Sequence, residues 1–105
     1  MLDVYESAVE ASGHFGVVFE RDDETAYFYL FDLRQADSVK IASAFNTNHL
    51  TELAAETPIA VRWSFSGTLA GLFVRSNLLA VFDLDSASRE GCWATTDDRH
   101  HFSEL

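Results

Sequence analysis

The sequence has little cysteine, few basic residues and no long apolar run, and each shortage excludes something. Cys92 is the only cysteine, so no disulfide can form within the chain, and a cysteine-based metal cluster lacks ligands. The longest apolar runs, 26–31 and 69–74, have six residues each, whereas a membrane-spanning helix needs about 20. The first residues show no basic and apolar leader of the secretory type. We therefore expect a cytoplasmic protein with no membrane span.

Basic residues are scarce relative to acidic ones, with 7 Lys and Arg against 17 Asp and Glu, for a net charge of −10. A protein that grips nucleic acid through its phosphates needs a basic surface, so we expect no nucleic-acid partner. An anionic membrane surface is disfavoured for the same reason. The 105 residues, 48% of them hydrophobic, suit one globular domain over residues 1–105 with a single core.

Apolar residues alternate with period two, which is typical of half-buried β-strands. In the segment 59–65, Ile59, Val61, Trp63 and Phe65 share one face, and Ser66-Gly67 follows as a turn signal. Similar runs cover 15–19, 25–33, 68–76, 78–85 and 91–95. The pattern predicts a mainly β fold, an antiparallel meander or small β-sandwich of about six or seven strands with one short helix.

Several segments leave alternatives open. Val4–Glu10 fits a strand better than a short helix, and Ser38–Phe45 fits both. The predicted helix lies within 46–56, with Asn48 as its N-cap and an end before Pro58. An α+β fold is the alternative if 4–11 and 38–45 are helical. Residues from about 96 to 105 are expected to form a frayed polar tail.

Three short motifs carry a resemblance to a known family. They are Gly-Val-Val-Phe-Glu at 16–20, which leads into the acidic tip 22–24, Val-Arg-Trp-Ser at 61–64, and Ala-Val-Phe-Asp at 80–83. The sequence resembles a small family of bacterial domains of unknown function with such a hairpin, turn and strand. This sequence departs from the pattern in having no glycine inside the tip. The resemblance implies a bacterial source and a compact β domain, and it assigns no catalytic residue.

The sequence contains no recognisable catalytic set. No Gly-x-Ser-x-Gly elbow or glycine-rich phosphate loop occurs, and Cys92 beside Trp93 is expected to be a small packed residue. His100 and His101 lie near Asp97 and Asp98, but adjacent histidines point apart in a strand. We therefore predict no enzyme activity, no metal site and no cofactor.

Acidic residues concentrate in the first half of the chain. Residues 1–57 hold eleven acidic and three basic residues, a net charge of −8, and residues 58–105 carry −2. Tyrosines among carboxylates suit protein recognition, since aromatic rings anchor a partner and the charges steer it. A merely solubilising surface that blocks strand pairing is the alternative. The candidate partner-binding residues are Glu20, Asp22, Asp23, Glu24, Tyr27, Tyr29 and Asp32.

Two functional hypotheses follow. The first is a non-catalytic inhibitory domain that binds a basic protein, most concretely a bacterial immunity protein that neutralises a cationic toxin. The second is a small-ligand or metal-binding accessory domain, with a pocket lined by Trp63, Trp93 and the tyrosines. The sequence alone names neither the partner nor the ligand.

Overall fold

The strand-forming segments build two four-stranded antiparallel sheets in the computed structural model, which describes residues 4–36, 40–54, 56–86 and 89–102. In each sheet the strands follow one another in chain order. The first sheet contains β1 (Val4–Val9), β2 (Phe15–Arg21), β3 (Ala26–Asp32) and β4 (Ile41–Asn46). The second contains β5 (Ile59–Trp63), β6 (Leu69–Val74), β7 (Asn77–Asp83) and β8 (Gly91–Trp93). The mainly β prediction is confirmed, but the described residues form eight strands and not six or seven.

A bulge explains why β4 was ambiguous in the sequence. Leu30 and Phe31 are consecutive on β3, but their partners on β4 are Ser43 and Ile41. Ala42 is therefore the extra residue, and it interrupts the period-two pattern from which a strand is recognised. Ser38 and Val39, which belonged to the same ambiguous segment, lie outside the described residues. Val4–Val9 is a strand, as the sequence favoured, so the α+β alternative is not realised there.

The core lies between the two sheets. Alternation on β2 and β3 turns Phe19 and Phe28 inward, and both side chains are fully buried. The ring of Phe28 packs on Phe82 of the second sheet at a centroid distance of 4.8 Å. Leu30 and Leu72 belong to the same buried cluster. Neither sheet can bury its apolar face alone, so the two sheets pack face to face. This arrangement is a β-sandwich.

Side-chain contacts tie the edges of the two sheets together. At one side the indole N–H of Trp63 donates to the carbonyl oxygen of Ala8, at 3.1 Å, which links β5 to β1. At the other side the rings of Phe45 and Trp93 meet edge to face at a centroid distance of 4.7 Å, linking β4 to β8. The sandwich is thus joined along both of its long edges.

The short helix predicted within 46–56 is present in the connection between the sheets, as a 3₁₀ turn. It covers Asn48–Glu52, and Thr47 precedes it without a side-chain cap bond. The prediction of Asn48 as N-cap is wrong, because Thr47 occupies that position. The side-chain oxygen of Asn48 instead accepts the backbone N–H of Ala26 at 2.8 Å. Thr47 donates both its backbone N–H and its hydroxyl to the carbonyl oxygen of Ala26. Thr47 and Asn48 therefore satisfy the backbone groups of Ala26 at the start of β3, just beyond the end of β4.

The C-terminal segment covers the outer face of the second sheet. The helix α1 (Thr96–His100) begins with a capping box, in which Thr95 and Asp98 each bond the other's backbone N–H. Phe102 packs on buried Phe73, ring to ring at 5.2 Å, above Gly71, where any side chain would collide with it. The expectation of a frayed tail from about residue 96 is therefore wrong for residues 96–102. Residues 103–105 lie outside the described part of the chain.

Removing the Phe102 ring is expected to destabilise the domain. Phe102→Ala uncovers the apolar cluster around Phe73, so we expect the unfolding free energy to fall by about 1 to 3 kcal/mol. His101→Ala, a neighbouring exposed position, is the control and is expected to change little. Urea denaturation followed by tryptophan fluorescence measures both. Equal stability of Phe102→Ala and the parent chain would contradict the packing of this segment.

Candidate binding surface

The outer face of the first sheet is open to solvent and rich in aromatic and aliphatic side chains. Tyr5, Val9 and Ile41 are exposed by 62%, 61% and 54%. Since side chains alternate along a strand, the same register that buries Phe19 and Phe28 turns their neighbours outward. We call the resulting surface the open face; its members are Tyr5, Ser7, Val9, Gly16, Val18, Glu20, Tyr27, Tyr29, Phe31, Ile41, Ala44 and Asn46.

A row of three aromatic rings runs along β3 on the open face. Tyr27 and Tyr29 stack with centroids 5.8 Å apart and planes inclined by 20°. Tyr29 meets Phe31 edge to face at 6.2 Å. Rings that already pack on one another lose little rotamer freedom when a partner arrives, which makes them effective anchors.

Glu20 lies in the middle of this aromatic region. It is directly opposite Tyr5 on β1 and Tyr27 on β3, and it is diagonal to Tyr29. Together with Tyr5, Tyr27 and Tyr29 it lines a cavity of about 220 Å³ near the hairpin end of the sheet. Partial burial raises the pKa of the Tyr29 phenol, and the charge of Glu20 and the neighbouring Tyr27 raise it further. The cavity therefore places the Glu20 carboxylate among three tyrosine rings, with Asp22 also in its lining.

A second hollow adjoins the first toward the other end of the sheet. It measures about 330 Å³ and is mostly apolar, with Val9, Val18, Phe31 and Leu33 in its lining together with Lys40. Tyr5 and Glu20 line both hollows. The open face thus has a charged, aromatic half beside an apolar half.

The acidic hairpin tip is held by one of its own carboxylates. Asp22 accepts the backbone N–H groups of Glu24 and Thr25, both at 2.8 Å, and its own N–H donates to the carbonyl oxygen of Thr25. The two accepted backbone bonds lower the pKa of Asp22. Asp22 therefore shapes the turn, whereas Asp23 and Glu24 are exposed at its tip.

Asp32 is separated from the other candidate residues. It occupies an inward position at the opposite end of β3, 8% exposed, and both of its carboxylate oxygens accept the Arg34 guanidinium, at 2.9 and 3.0 Å. Those bonds hold the pKa of Asp32 well below its usual range. The structure thus brings Glu20, Tyr27 and Tyr29 together beside the tip 22–24 and leaves Asp32 outside this group.

Beneath the tip, a buried arginine connects the hairpin to the 3₁₀ turn. Arg21 is 3% exposed and points to the inner side of the sheet, where it donates to the carbonyl oxygens of Leu50 and Leu53 at 2.9 and 3.4 Å. Its Nε and Nη2 atoms have no hydrogen-bond partner among the described residues. The cation nearest to Glu20 in sequence is consequently directed away from the open face.

Sequence reasoning missed the contribution of β1 to this surface. Tyr5 and Val9 stand on the open face because β1 pairs with β2 through Tyr5–Glu20 and Val9–Gly16. The alternation of Tyr5, Ser7 and Val9 against Val4, Glu6 and Ala8 was a usable signal once Val4–Glu10 was assigned as a strand. What the alternation could not supply was the pairing partner.

The two tryptophans do not share a pocket with the tyrosines. Trp63 packs against the core beneath β1, and Trp93 lies on β8 against Phe45 and His49. Tyr27 and Tyr29 face outward from the first sheet. The sequence predicted one ligand pocket lined by both tryptophans and the tyrosines, but these rings lie in three separate places.

The remaining candidate residues stand apart from the open face. Cys92 is exposed, so its prediction as a packed residue is wrong; desolvation and the charges of Asp98 and Asp83 raise its thiol pKa. Within the described ranges no three His, Cys, Asp or Glu side chains are grouped closely enough to hold a metal ion. In that same part of the chain, neither helical segment has the length and apolar character needed to cross a membrane.

Fold and surface together define a small antiparallel β-sandwich with one covered and one open outer face. The chain belongs to the family DUF2251, described as an uncharacterized protein conserved in bacteria, whose model matches residues 3–98. The resemblance to a bacterial family of unknown function is thereby confirmed. An uncharacterized protein of Haemophilus influenzae is 35% identical over 72 residues, which cover 67% of this chain and 45% of that protein. No solved structure matches the chain.

The ion pair of Asp32 leads to a pH-dependent prediction. Because the pKa of Asp32 lies below its unfolded value of about 3.9, the pair stabilises the fold above that pH. This contribution is lost as the pH falls toward the folded pKa. We therefore expect Asp32→Asn to be less stable than the parent chain near neutral pH, with the difference shrinking below about pH 4.

Urea titrations of the two proteins at about pH 7, 5 and 3 measure the effect. Glu52→Gln, which removes an exposed carboxylate from the 3₁₀ turn, serves as the control for the loss of one negative charge. A stability difference that stays constant over this pH range would show that the Asp32–Arg34 pair does not act through its charge.

Proposed function

We propose that the chain is a non-catalytic, cytoplasmic binding domain that inhibits a basic protein partner through its open face. In its most concrete form, it is a bacterial immunity protein that occludes the active site of a cationic toxin. The observation that carries this proposal is the juxtaposition of an uncovered aromatic face with an acidic hairpin tip. Contiguous exposed apolar surface on a small domain marks an interaction site, because it costs free energy when left in water.

Charge complementarity argues for a basic partner. The chain carries −10 overall, and Glu20, Asp23 and Glu24 lie on or beside the open face. Such a field accelerates the encounter with a cationic protein and fixes its orientation, with association rate constants up to about 10⁸ to 10⁹ M⁻¹s⁻¹ at low salt. The rings of Tyr27 and Tyr29 then supply buried contact area.

The position of Glu20 in the sheet disfavours a purely protective role for that acid. Charged residues that prevent aggregation belong on edge strands, where unpaired backbone groups would otherwise recruit another strand. Glu20 lies on β2, which is paired on both sides, with β1 and β3. Its charge lies in the middle of an otherwise aromatic region. There it can select a partner, but it cannot prevent another strand from pairing with an edge of the sheet.

The ligand-binding alternative has less support from the geometry. It required Trp63, Trp93 and the tyrosines to converge on one cavity, and the three sets of rings lie at different places. Inhibition of a protein needs no such convergence, since one broad face is sufficient.

Co-expression tests the proposed function directly. The chain is produced together with the product of an adjacent gene in its native genome whose expression alone arrests growth. We expect growth to be restored and a stable complex to be isolated in which the open face is protected from hydrogen exchange. Continued arrest, together with the absence of a complex, would overturn the proposal.

The steering charges at the tip can be tested in the same complex. The double variant Asp23→Asn/Glu24→Gln is expected to slow association about 3- to 10-fold at low ionic strength, with little change in dissociation. Asp22 is left intact because it holds the turn. Stopped-flow mixing at increasing salt measures the rates, and the difference is expected to fade as screening shortens the reach of the charges.

A matched control separates the effect of the charge at the tip on the association rate from the effect of the net charge. Glu52→Gln/Glu56→Gln removes the same two negative charges at exposed positions in the connection between the sheets. It is expected to slow association less than the tip variant does. Equal slowing by both variants would show that only the net charge matters and would move the binding surface away from the hairpin.

A further inference from the structure

We propose that the cavity around Glu20 receives a single arginine side chain of the partner, with the guanidinium on the carboxylate and between the tyrosine rings. This inference rests on the proposed function, because it assigns the residue type through which the basic partner is recognised. Tyr5, Glu20, Tyr27 and Tyr29 line the cavity at the hairpin end of the open face, and the hairpin residues Arg21 and Asp22 also belong to its lining.

The register of the sheet places the carboxylate between rings. Tyr5 and Tyr27 are the direct cross-strand neighbours of Glu20, one on each side. Side chains in such pairs lie about 5 Å apart at their Cβ atoms, so both phenols flank the carboxylate. Tyr29 closes a third side from the diagonal position and is itself stacked on Tyr27. The site is thus built from three neighbouring strands of one sheet, which holds its walls in place.

The size of the cavity suits one long side chain. Its volume of about 220 Å³ is smaller than the roughly 300 to 1,000 Å³ typical of pockets for drug-sized ligands. A small metabolite would need more enclosing surface, whereas a side chain brings its own backbone to cover the rim.

The chemistry of the walls favours a guanidinium over an ammonium group. Aromatic faces attract cations, and a planar guanidinium can stack on a ring while it donates two hydrogen bonds to a carboxylate. A guanidinium is also less strongly hydrated than the lysine ammonium, so less hydration free energy is lost when the partner covers the cavity. Glu20 supplies the acceptor, and the phenols supply the stacking surface.

Arg21 is among the residues that line this cavity, but its side chain is only 3% exposed and is engaged elsewhere. The Arg21 guanidinium is buried on the inner side of the sheet, on the carbonyl oxygens of Leu50 and Leu53. The ion pair of Arg34 with Asp32 lies at the far end of β3. The carboxylate of Glu20 is therefore presented to an incoming cation, and the tip residues Asp23 and Glu24 add to the attraction.

The test uses N-acetyl-arginine amide as the probe and needs no partner protein. NMR titration of the intact chain is expected to shift the ring signals of Tyr5, Tyr27 and Tyr29, with a dissociation constant on the order of millimolar, as suits one exposed charged contact. N-acetyl-citrulline amide has nearly the same shape without the charge and is expected to bind at least about tenfold more weakly. N-acetyl-lysine amide is expected to fall between them.

Variants assign the binding to the cavity. Glu20→Gln and Tyr27→Leu are each expected to weaken arginine binding about 5- to 10-fold, whereas Tyr27→Phe keeps the ring and is expected to bind nearly as the parent does. Glu52→Gln is the control for charge alone. Circular dichroism checks that each variant is folded.

The outcomes separate the two proposals. Equal binding of the citrulline or lysine compound, or unchanged binding by Glu20→Gln, overturns the arginine site even if growth rescue succeeds. Arginine binding that meets every expectation, combined with failed rescue and no complex, leaves the cavity intact and overturns the inhibitory function.

Discussion

The register of the β2–β3 hairpin is the constraint on which both faces of the first sheet depend. Phe19 pairs with Phe28 and both are fully buried, so the next pair, Glu20 with Tyr27, must face outward. A slip of one residue would drive the carboxylate into the core and expose the phenylalanines. Asp22 helps to prevent the slip, since its bonds to the backbone of Glu24 and Thr25 define a turn of fixed length. The core and the open face are two consequences of one pairing.

The two outer faces of the sandwich differ in how much of their apolar surface is covered. On the second sheet, Phe102 and the capped helix before it cover the cluster around Phe73. On the first sheet, Tyr5 and Val9 remain more than half exposed. One apolar outer face is thus covered while the other stays open, which is the asymmetry expected of a domain with one docking side.

Much of this fold could be predicted from residues close together in sequence. The alternation of Phe15, Val17 and Phe19, followed by an acidic tip, was sufficient to predict the hairpin, because a period of two and a turn are local signals. The β4 strand was ambiguous since the extra residue Ala42 breaks that period. Sequence reasoning missed the capping box of Thr95 and Asp98, although a threonine followed three residues later by an acid is a local signal for the start of a helix.

The candidate site was predictable only in part, for a different reason. Glu20, Tyr27 and Tyr29 came from one hairpin, and the structure brings them together. Tyr5 reaches the same surface through pairing with a strand that starts several residues later, and no local pattern specifies that pairing. Asp32 was grouped with the others because it is near them in sequence, but its position in the alternation matches that of Leu30 and turns it inward, where Arg34 neutralises it. Nearness along a strand does not imply a shared face.

The net charge and the charge of Glu20 act over different distances. At physiological salt the field of an exposed charge decays over about 8 Å, so most of the −10 affects only the approach of a partner. Of the hairpin acids, Asp22 is engaged in the turn, and Asp32 is paired with Arg34. Asp23 and Glu24 lie at the tip, where they can steer but are not enclosed. Glu20 lies between Tyr5 and Tyr27, and when a partner excludes water there, the attraction of its carboxylate for a cation strengthens. On the proposed function, the net charge therefore steers a basic protein to this side of the sandwich, and the Glu20 carboxylate selects which of the partner's side chains binds.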